Sequence, residues 1–218
     1  MGLASYRRSV SETKRAAILK AARENFLKGG YSRAAMAEIA RDADVSTATL
    51  YKHFSSKDAL FTAIVQDAYT GTDGSLHTDI TGLSARDVLR NIGSTYMHQQ
   101  FEGQMNALLR IVIAEVPSAP QLARDAYQNG VLARYDQIRQ VIEELVARGD
   151  LKPHNLHDGA RHLGGMVKEF VVWPALFTPD FQKPDDIDAK IDACIDAYLK
   201  IYGAESAVAR PREKEIGT

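Results

Sequence analysis

Val-Ser-Thr-Ala-Thr-Leu-Tyr-Lys-His-Phe-Ser-Ser-Lys, residues 45–57, is the stretch that decides how this chain reads. Ser46 stands where a helix N-cap accepts a backbone N–H from the first turn. In the helix that follows, Val45, Leu50 and Phe54 fall on one side and Thr47, Thr49, Tyr51, Lys52 and His53 on the other. A face of hydroxyls, a phenol and basic groups suits a major groove, where side chains hydrogen-bond base edges and meet phosphates on the way in. A merely solvated helix would more often carry Glu–Lys pairs. Tyr51 could also serve as a core aromatic, but Phe54 is the better core candidate.

Working outward, Ser9 and Glu12 have capping-box spacing. They precede a helix with Ile18, Ala21, Ala22 and Phe26 on one face, closed by Gly29-Gly30. Residues 1–8 read as a loose arm whose Arg7 and Arg8 either reach a groove or are solvated. A short second helix over about 35–42 buries Met36, Ile39 and Ala40, and Ala43-Asp44-Val45 turns into the third. Three short helices with a tight turn between the second and third make a helix-turn-helix. Ser56-Lys57-Asp58 then opens a fourth, striped by Leu60, Phe61, Ile64, Val65 and Ala68.

After 71–74 (Gly-Thr-Asp-Gly) and a polar stretch to Gly82, apolar residues at three and four spacing predict helices over 84–101, 104–115, 120–148, 156–177 and 186–202. No period of two is sustained, so the expected fold class is all-α. The expected domains are 1–58, a three-helix head, and 59–202, a larger helical block, with a disordered tail at 203–218.

Length and composition allow one large domain or two modest ones: 218 residues, 45% hydrophobic and 25% charged. The longest apolar run, 170–177, is eight residues and contains Pro174, well short of the roughly 20 that span a bilayer, so no membrane partner is expected. Cys194 is alone, which excludes an internal disulfide and predicts a cytoplasmic location. Residues 1–58 hold 11 Lys+Arg against 6 Asp+Glu, a balance of +5, and the other 160 residues hold 16 against 22, a balance of −6. The basic excess sits on the part that carries the helix-turn-helix, as a polyanion partner would require. No Gly-x-Ser-x-Gly elbow or Gly-rich phosphate loop is present, and His154, His157 and His162 read as solvated. No catalytic residue, metal or cofactor is expected.

Ile18-Leu19-Lys-Ala-Ala-Arg-Glu-Asn-Phe26, Gly30-Tyr31, Ile39-Ala40, Ala43, Val45-Ser46, Ala48-Thr49-Leu50-Tyr51-Lys52-His53-Phe54, Ser56-Lys57 and Leu60-Phe61 together resemble the DNA-binding domain of TetR-type transcriptional repressors over about residues 13–61. Leu109-Arg-Ile-Val-Ile-Ala-Glu115 and Val172-Trp173-Pro174 resemble the AefR-like or AcrR-like C-terminal domain of that family. The resemblance implies a homodimer that binds a palindromic double-stranded DNA operator and is released by a small hydrophobic or aromatic effector. It implies DNA contact by Ser46, Thr47, Thr49, Tyr51, Lys52 and His53, with Lys57 on a phosphate at the start of the fourth helix. An activator or dual regulator on the same scaffold is the alternative, and a helical enzyme acting on a small molecule a further one. Two positions depart from the family pattern. Ala34 and Ala35 stand where Thr or Ser would cap the second helix, leaving Glu38 without its box partner and Ser32 as a substitute. Asp44 stands where the turn favours Gly, a position Asp tolerates if it is left-handed.

Candidate effector contacts lie on the apolar stripes of the second block: Tyr96, Met105, Leu109, Ile113, Tyr127, Tyr135, Met166, Phe170 and Trp173. Such stripes also serve as plain core. Arg110, Glu115, His98, His162 and Glu169 are available to fix a polar group. The last two helices carry the expected dimer interface: Leu156, Ala160, Leu163, Gly164 and Val167 on one, Ile187, Ile191, Ile195 and Tyr198 on the other. Either these stripes meet a partner subunit or they cover their own domain.

Overall fold

The computed structural model describes residues 3–70, 80–101 and 104–204; the side chains of residues 3–8 and 69–70 fall outside that description. The described residues form eleven α-helices: α1 Leu3–Gly29, α2 Met36–Asp42, α3 Thr47–His53, α4 Lys57–Thr70, α5 Ala85–Phe101, α6 Met105–Glu115, α7 Pro120–Ala126, α8 Ala133–Ala147, α9 Leu156–Glu169, α10 Val172–Phe177 and α11 Ile187–Tyr202. The expected loop over 71–79 and the tail from 205 lie outside the described residues.

The helices sort into two compact units. The first is Met1–Gly74 with Gly103–Val131, and the second Ser75–Glu102 with Leu132–Thr218. As a unit of packing, the head therefore does not end at residue 58. Leu60, Phe61 and Ile64 of α4, Met105 and Leu108 of α6 and Leu122 of α7 share one core with Ile18, Ala22 and Phe26 of α1. One long and two short helices bury too little apolar surface to stand alone, and α4, α6 and α7 supply the rest.

Within the first unit, α1 is helical from Leu3, so the expected loose arm over 1–8 is corrected: nothing between Leu3 and Ser9 is Gly or Pro, and the helix runs through. Ser9 accordingly lies inside α1, its carbonyl accepting from Thr13 Oγ1 at 3.0 Å. Gly30, at φ 76°, ends α1 by donating its N–H to Phe26 O at 2.8 Å. Helix α2 starts at Ala35 with no side-chain cap, and Ser32 does not replace one: its hydroxyl donates to Glu115 Oε1 at 2.9 Å. Asp44 does adopt the left-handed conformation, at φ 52°.

In the second unit, Ser84 and Asp87 close a capping pair at the start of α5, and Asn155 accepts from the N–H groups of His157 and Asp158 to start α9. The expected helix over 120–148 is continuous but widens to a π-helical stretch, Tyr127–Leu132, around the weak helix formers Asn129 and Gly130. The expected helix over 156–177 breaks at Phe170-Val171. Pro174 has no N–H and its ring would crowd the Phe170 carbonyl one turn back, so α10 begins afresh. An antiparallel bridge between Leu151 and Gly203, with Lys152 N donating to Tyr202 O at 2.7 Å, ties the end of α11 to the α8–α9 connection.

The two stripes expected to face a partner subunit face inward instead. Ala160, Leu163 and Val167 of α9, and Ile187, Ile191, Ile195 and Tyr198 of α11, lie in the second unit's core with Leu89 of α5 and Ile142 of α8; Leu156 packs on its edge. Gly164 admits not a partner helix but the Tyr135 ring: a Cβ there would stand 2.7 Å from Tyr135 Cε1. Four helices sharing one core consume both stripes. Among the described residues of this unit, the large apolar side chains left exposed are Phe170, Trp173 (57% exposed), Phe177 (80%) and Ile201.

Candidate functional site

Helix α3 is built as its sequence dictates. Ser46 Oγ accepts from Thr49 N at 3.1 Å and lies 2.8 Å from Thr49 Oγ1, which pins the first turn. Leu50 is fully buried and Phe54 nearly so, anchoring the helix to the head. Ser46, Thr47, Tyr51 (49% exposed) and Lys52 are left outside, with Thr49 and His53 half-buried beside them. The exposed hydroxyls, phenol and ammonium thus form one short face on a fixed base. The Arg15 guanidinium lies over the Phe54 ring, 5.4 Å from its centroid, adding positive charge at the end of α3. Arg7 and Arg8 have side chains outside the described residues.

Lys57 has a task that sequence reasoning missed. Its ammonium donates to the carbonyls of Tyr31 (2.9 Å), Ser32 (3.4 Å) and Ala34 (3.2 Å), and sits 4.4 Å from the centroid of the Tyr31 ring. The Tyr31 hydroxyl in turn donates to Asp58. Burial first, and then the Asp58 carboxylate, pushes the Tyr31 phenol well above its ordinary range. The turn between α1 and α2 is therefore clamped to the start of α4, beneath the stacked and edge-on rings of Phe26, Tyr31 and Phe61. All three ammonium hydrogens of Lys57 have carbonyl partners, so a phosphate contact would have to displace one of them. Glu115, at the end of α6, reaches the same turn through Ser32; hydrogen bonds from Ser118 and then Ser32 hold its carboxyl below the usual range.

The second unit contains a small cavity. Its apolar wall is Ile92, Ile138, Leu163 and Val167, with Gly93 and Gly164 between them, where Ile191 and Tyr135 respectively pack against the bare backbone. Its polar groups are Tyr96, Arg134, Tyr135 and Lys168. The enclosed void is about 20 Å³, room for one water, within about 390 Å³ of unfilled space that includes open solvent. Lys168 Nζ donates to Tyr135 Oη at 2.8 Å and lies 4.0 Å and 5.7 Å from the ring centroids of Tyr135 and Tyr96. Burial, and then the neighbouring Arg134 charge, depress the Lys168 ammonium to about 8. Arg134 is 5% exposed and donates to Gln137 Oε1 at 3.1 Å.

Of the expected effector residues, the structure brings only Tyr96 and Tyr135 to this cavity. Met105 and Leu109 pack into the first unit's core, because α6 belongs there. Ile113, Tyr127, Phe170 and Trp173 are exposed, and Met166 packs against the second unit's core away from the lining. Arg134 and Lys168 were missed. The available signal was helical spacing: Gly164 and Lys168 are four apart on α9, and Gly93 and Tyr96 three apart on α5. Among the described residues, no group of three or more His, Cys, Asp or Glu is placed to hold a metal, and no helix is long and apolar enough to cross a membrane.

Family models match segments of both units. The family model described as bacterial regulatory proteins, tetR family, matches residues 18–64, and that of the AefR-like transcriptional repressor C-terminal domain matches residues 87–204, more than half of the chain. The HTH-type transcriptional regulator UidR of Escherichia coli (strain K12) is 29% identical over 143 residues, 66% of this chain and 71% of UidR. The HTH-type transcriptional activator FasR of Mycolicibacterium smegmatis is 47% identical over 55 residues, 25% of each chain. Among solved structures, the flavonoid-responsive regulator FrrA superposes with a TM-score of 0.68 at 27% identity, covering 88% of this chain and 98% of FrrA.

Proposed function

The chain belongs to the TetR family, as a DNA-binding transcriptional regulator and not an enzyme, and from that premise we propose that it is a homodimeric repressor released from a palindromic operator by a small molecule. The observation that carries the reading is α3: a capped helix with Leu50 and Phe54 locked inward and Thr47, Tyr51 and Lys52 presented outward, in the basic part of the chain. Two copies address half-sites about 34–36 Å apart, one turn of DNA. A palindrome requires a two-fold partner. With the α9 and α11 stripes buried, the partner surface is assigned to the exposed aromatics that follow α9, where Trp173 stacks on Phe177 at 6.4 Å. The effector acts by population shift, fitting better the form whose heads are mis-spaced. Taking the dimer from 1:99 to 99:1 demands about 5.5 kcal/mol of differential binding.

Gel-shift titration tests the reading. Tyr51→Phe and Lys52→Ala weaken binding to all duplexes, and Lys52→Ala also lowers the salt slope by about one. Thr47→Val changes preference at one base position. Unaltered affinity and salt slope in all three variants would refute α3 as the reading element. The 47% identity to the activator FasR over 55 residues favours a second reading, an activator on the same scaffold. Reporter output after deletion of the gene separates them, rising for a repressor and falling for an activator.

A further inference from the structure

We infer that the cavity of the second unit takes an organic anion, an apolar body carrying a carboxylate that is met by Lys168, with Arg134 beside it. The inference rests on the effector-controlled reading above and names the chemistry of that ligand.

The composition of the lining is one-sided. Two cations and two phenols interrupt an otherwise apolar wall, and no lining residue is a carboxylate or an amide. Among the described residues the Lys168 ammonium makes one hydrogen bond, to Tyr135 Oη, so two of its three hydrogens remain for a ligand. Its other neighbours are two aromatic faces, which attract a cation but accept no directed hydrogen bond as strong as a carboxylate's. Arg134 adds a like charge, which disfavours the ammonium and favours any anion placed between them. A neutral ligand of the same shape gains the apolar contacts only, and a cationic one is repelled.

The cavity is also shaped for Tyr135. A Cβ on Gly164 would fall 2.7 Å from the Tyr135 ring, so glycine there lets the phenol lie against α9 and hold Lys168 in place. The void admits only about one water as it stands, so a larger anion enters by swinging the long Lys168 stem and the rings it lies on. A ligand that must rearrange its site couples binding to conformation, as an effector has to.

Calorimetric titration of the full-length chain with 2-naphthoate against 2-naphthamide, and decanoate against decanamide, decides the matter. The expected result at pH 7 is at least about tenfold tighter binding of the carboxylate in one pair. That preference falls about tenfold per pH unit above pH 8, where Lys168 discharges. Lys168→Met abolishes the preference and keeps amide binding, and Lys168→Arg retains it. An amide that binds as tightly as its acid, a preference that survives Lys168→Met, or no binding by either pair overturns the inference. Retention on a duplex resin, measured on the same samples, separates this from the regulator reading. A protein that holds duplex without preferring the acid sinks only the anion; one that prefers the acid but holds no duplex sinks only the regulator.

Discussion

Replacing Lys168 by Met should make this protein more stable at neutral pH, although the change removes a hydrogen bond and a charge. The ammonium is depressed from 10.5 to about 8 by burial and by Arg134. A depression of that size amounts to about 3 kcal/mol of unfavourable interaction in the charged form. Met fills a similar volume without the charge and forfeits only the bond to Tyr135 Oη, worth about 1 kcal/mol. The net expectation at pH 7 is about 2 kcal/mol of stabilisation, or about 4–8 °C in Tm for a chain of this size. The sign with pH follows from the direction of the shift. The folded value lies below the unfolded one, so between about pH 8 and 10.5 the unfolded chain binds more protons, and wild-type stability rises with pH across that window. The variant lacks the rise, so its advantage disappears by about pH 10.5. Urea denaturation of both proteins at pH 7, 8, 9 and 10 reads this out. A variant less stable than wild type at pH 7, or a difference that does not change with pH, would show that Lys168 is not a desolvated cation.

Ser46→Ala removes the acceptor of Thr49 N and should cost about 1 kcal/mol in thermal unfolding of the head. Lys57→Met leaves the carbonyls of Tyr31, Ser32 and Ala34 without their shared donor; a loss of about 2 kcal/mol is expected by chemical denaturation, alongside weaker duplex binding. Gly164→Ala drives a Cβ into the Tyr135 ring, and should destabilise by about 1–3 kcal/mol and abolish binding of cavity ligands in the same titrations. Asp44→Gly removes a left-handed non-glycine residue but loosens the unfolded chain, so stability should stay within about 0.5 kcal/mol while duplex affinity rises with the loss of a carboxylate.

Much of the candidate DNA interface was legible because its signals are local. The Ser46 cap, the Leu50–Phe54 anchor and the outward Thr47, Tyr51 and Lys52 all follow from spacing within one short helix, and the structure places each accordingly. The left-handed Asp44 was raised only as a condition, by the resemblance that favours Gly at that turn position, and it was the structure that set its φ at 52°. The cavity was not legible, since its wall draws on α5, α8 and α9, and periodicity marks a buried face without naming what lies against it. Met105 and Tyr96 read alike as stripe residues, yet one packs in the first unit and the other lines the cavity of the second.

By itself, then, the order of residues determined most of the helices, the Ser46 cap and the chemistry of the α3 face, because these depend on neighbours within a turn or two. Tertiary structure alone decided that α4, α6 and α7 complete the head, that the α9 and α11 stripes close on their own unit, and that Lys57 clamps a turn 26 residues earlier in the chain. It alone set Lys168 beside Arg134. Those outcomes turn on which apolar faces bury one another and which charges share a desolvated space, and both are settled between segments far apart in the chain.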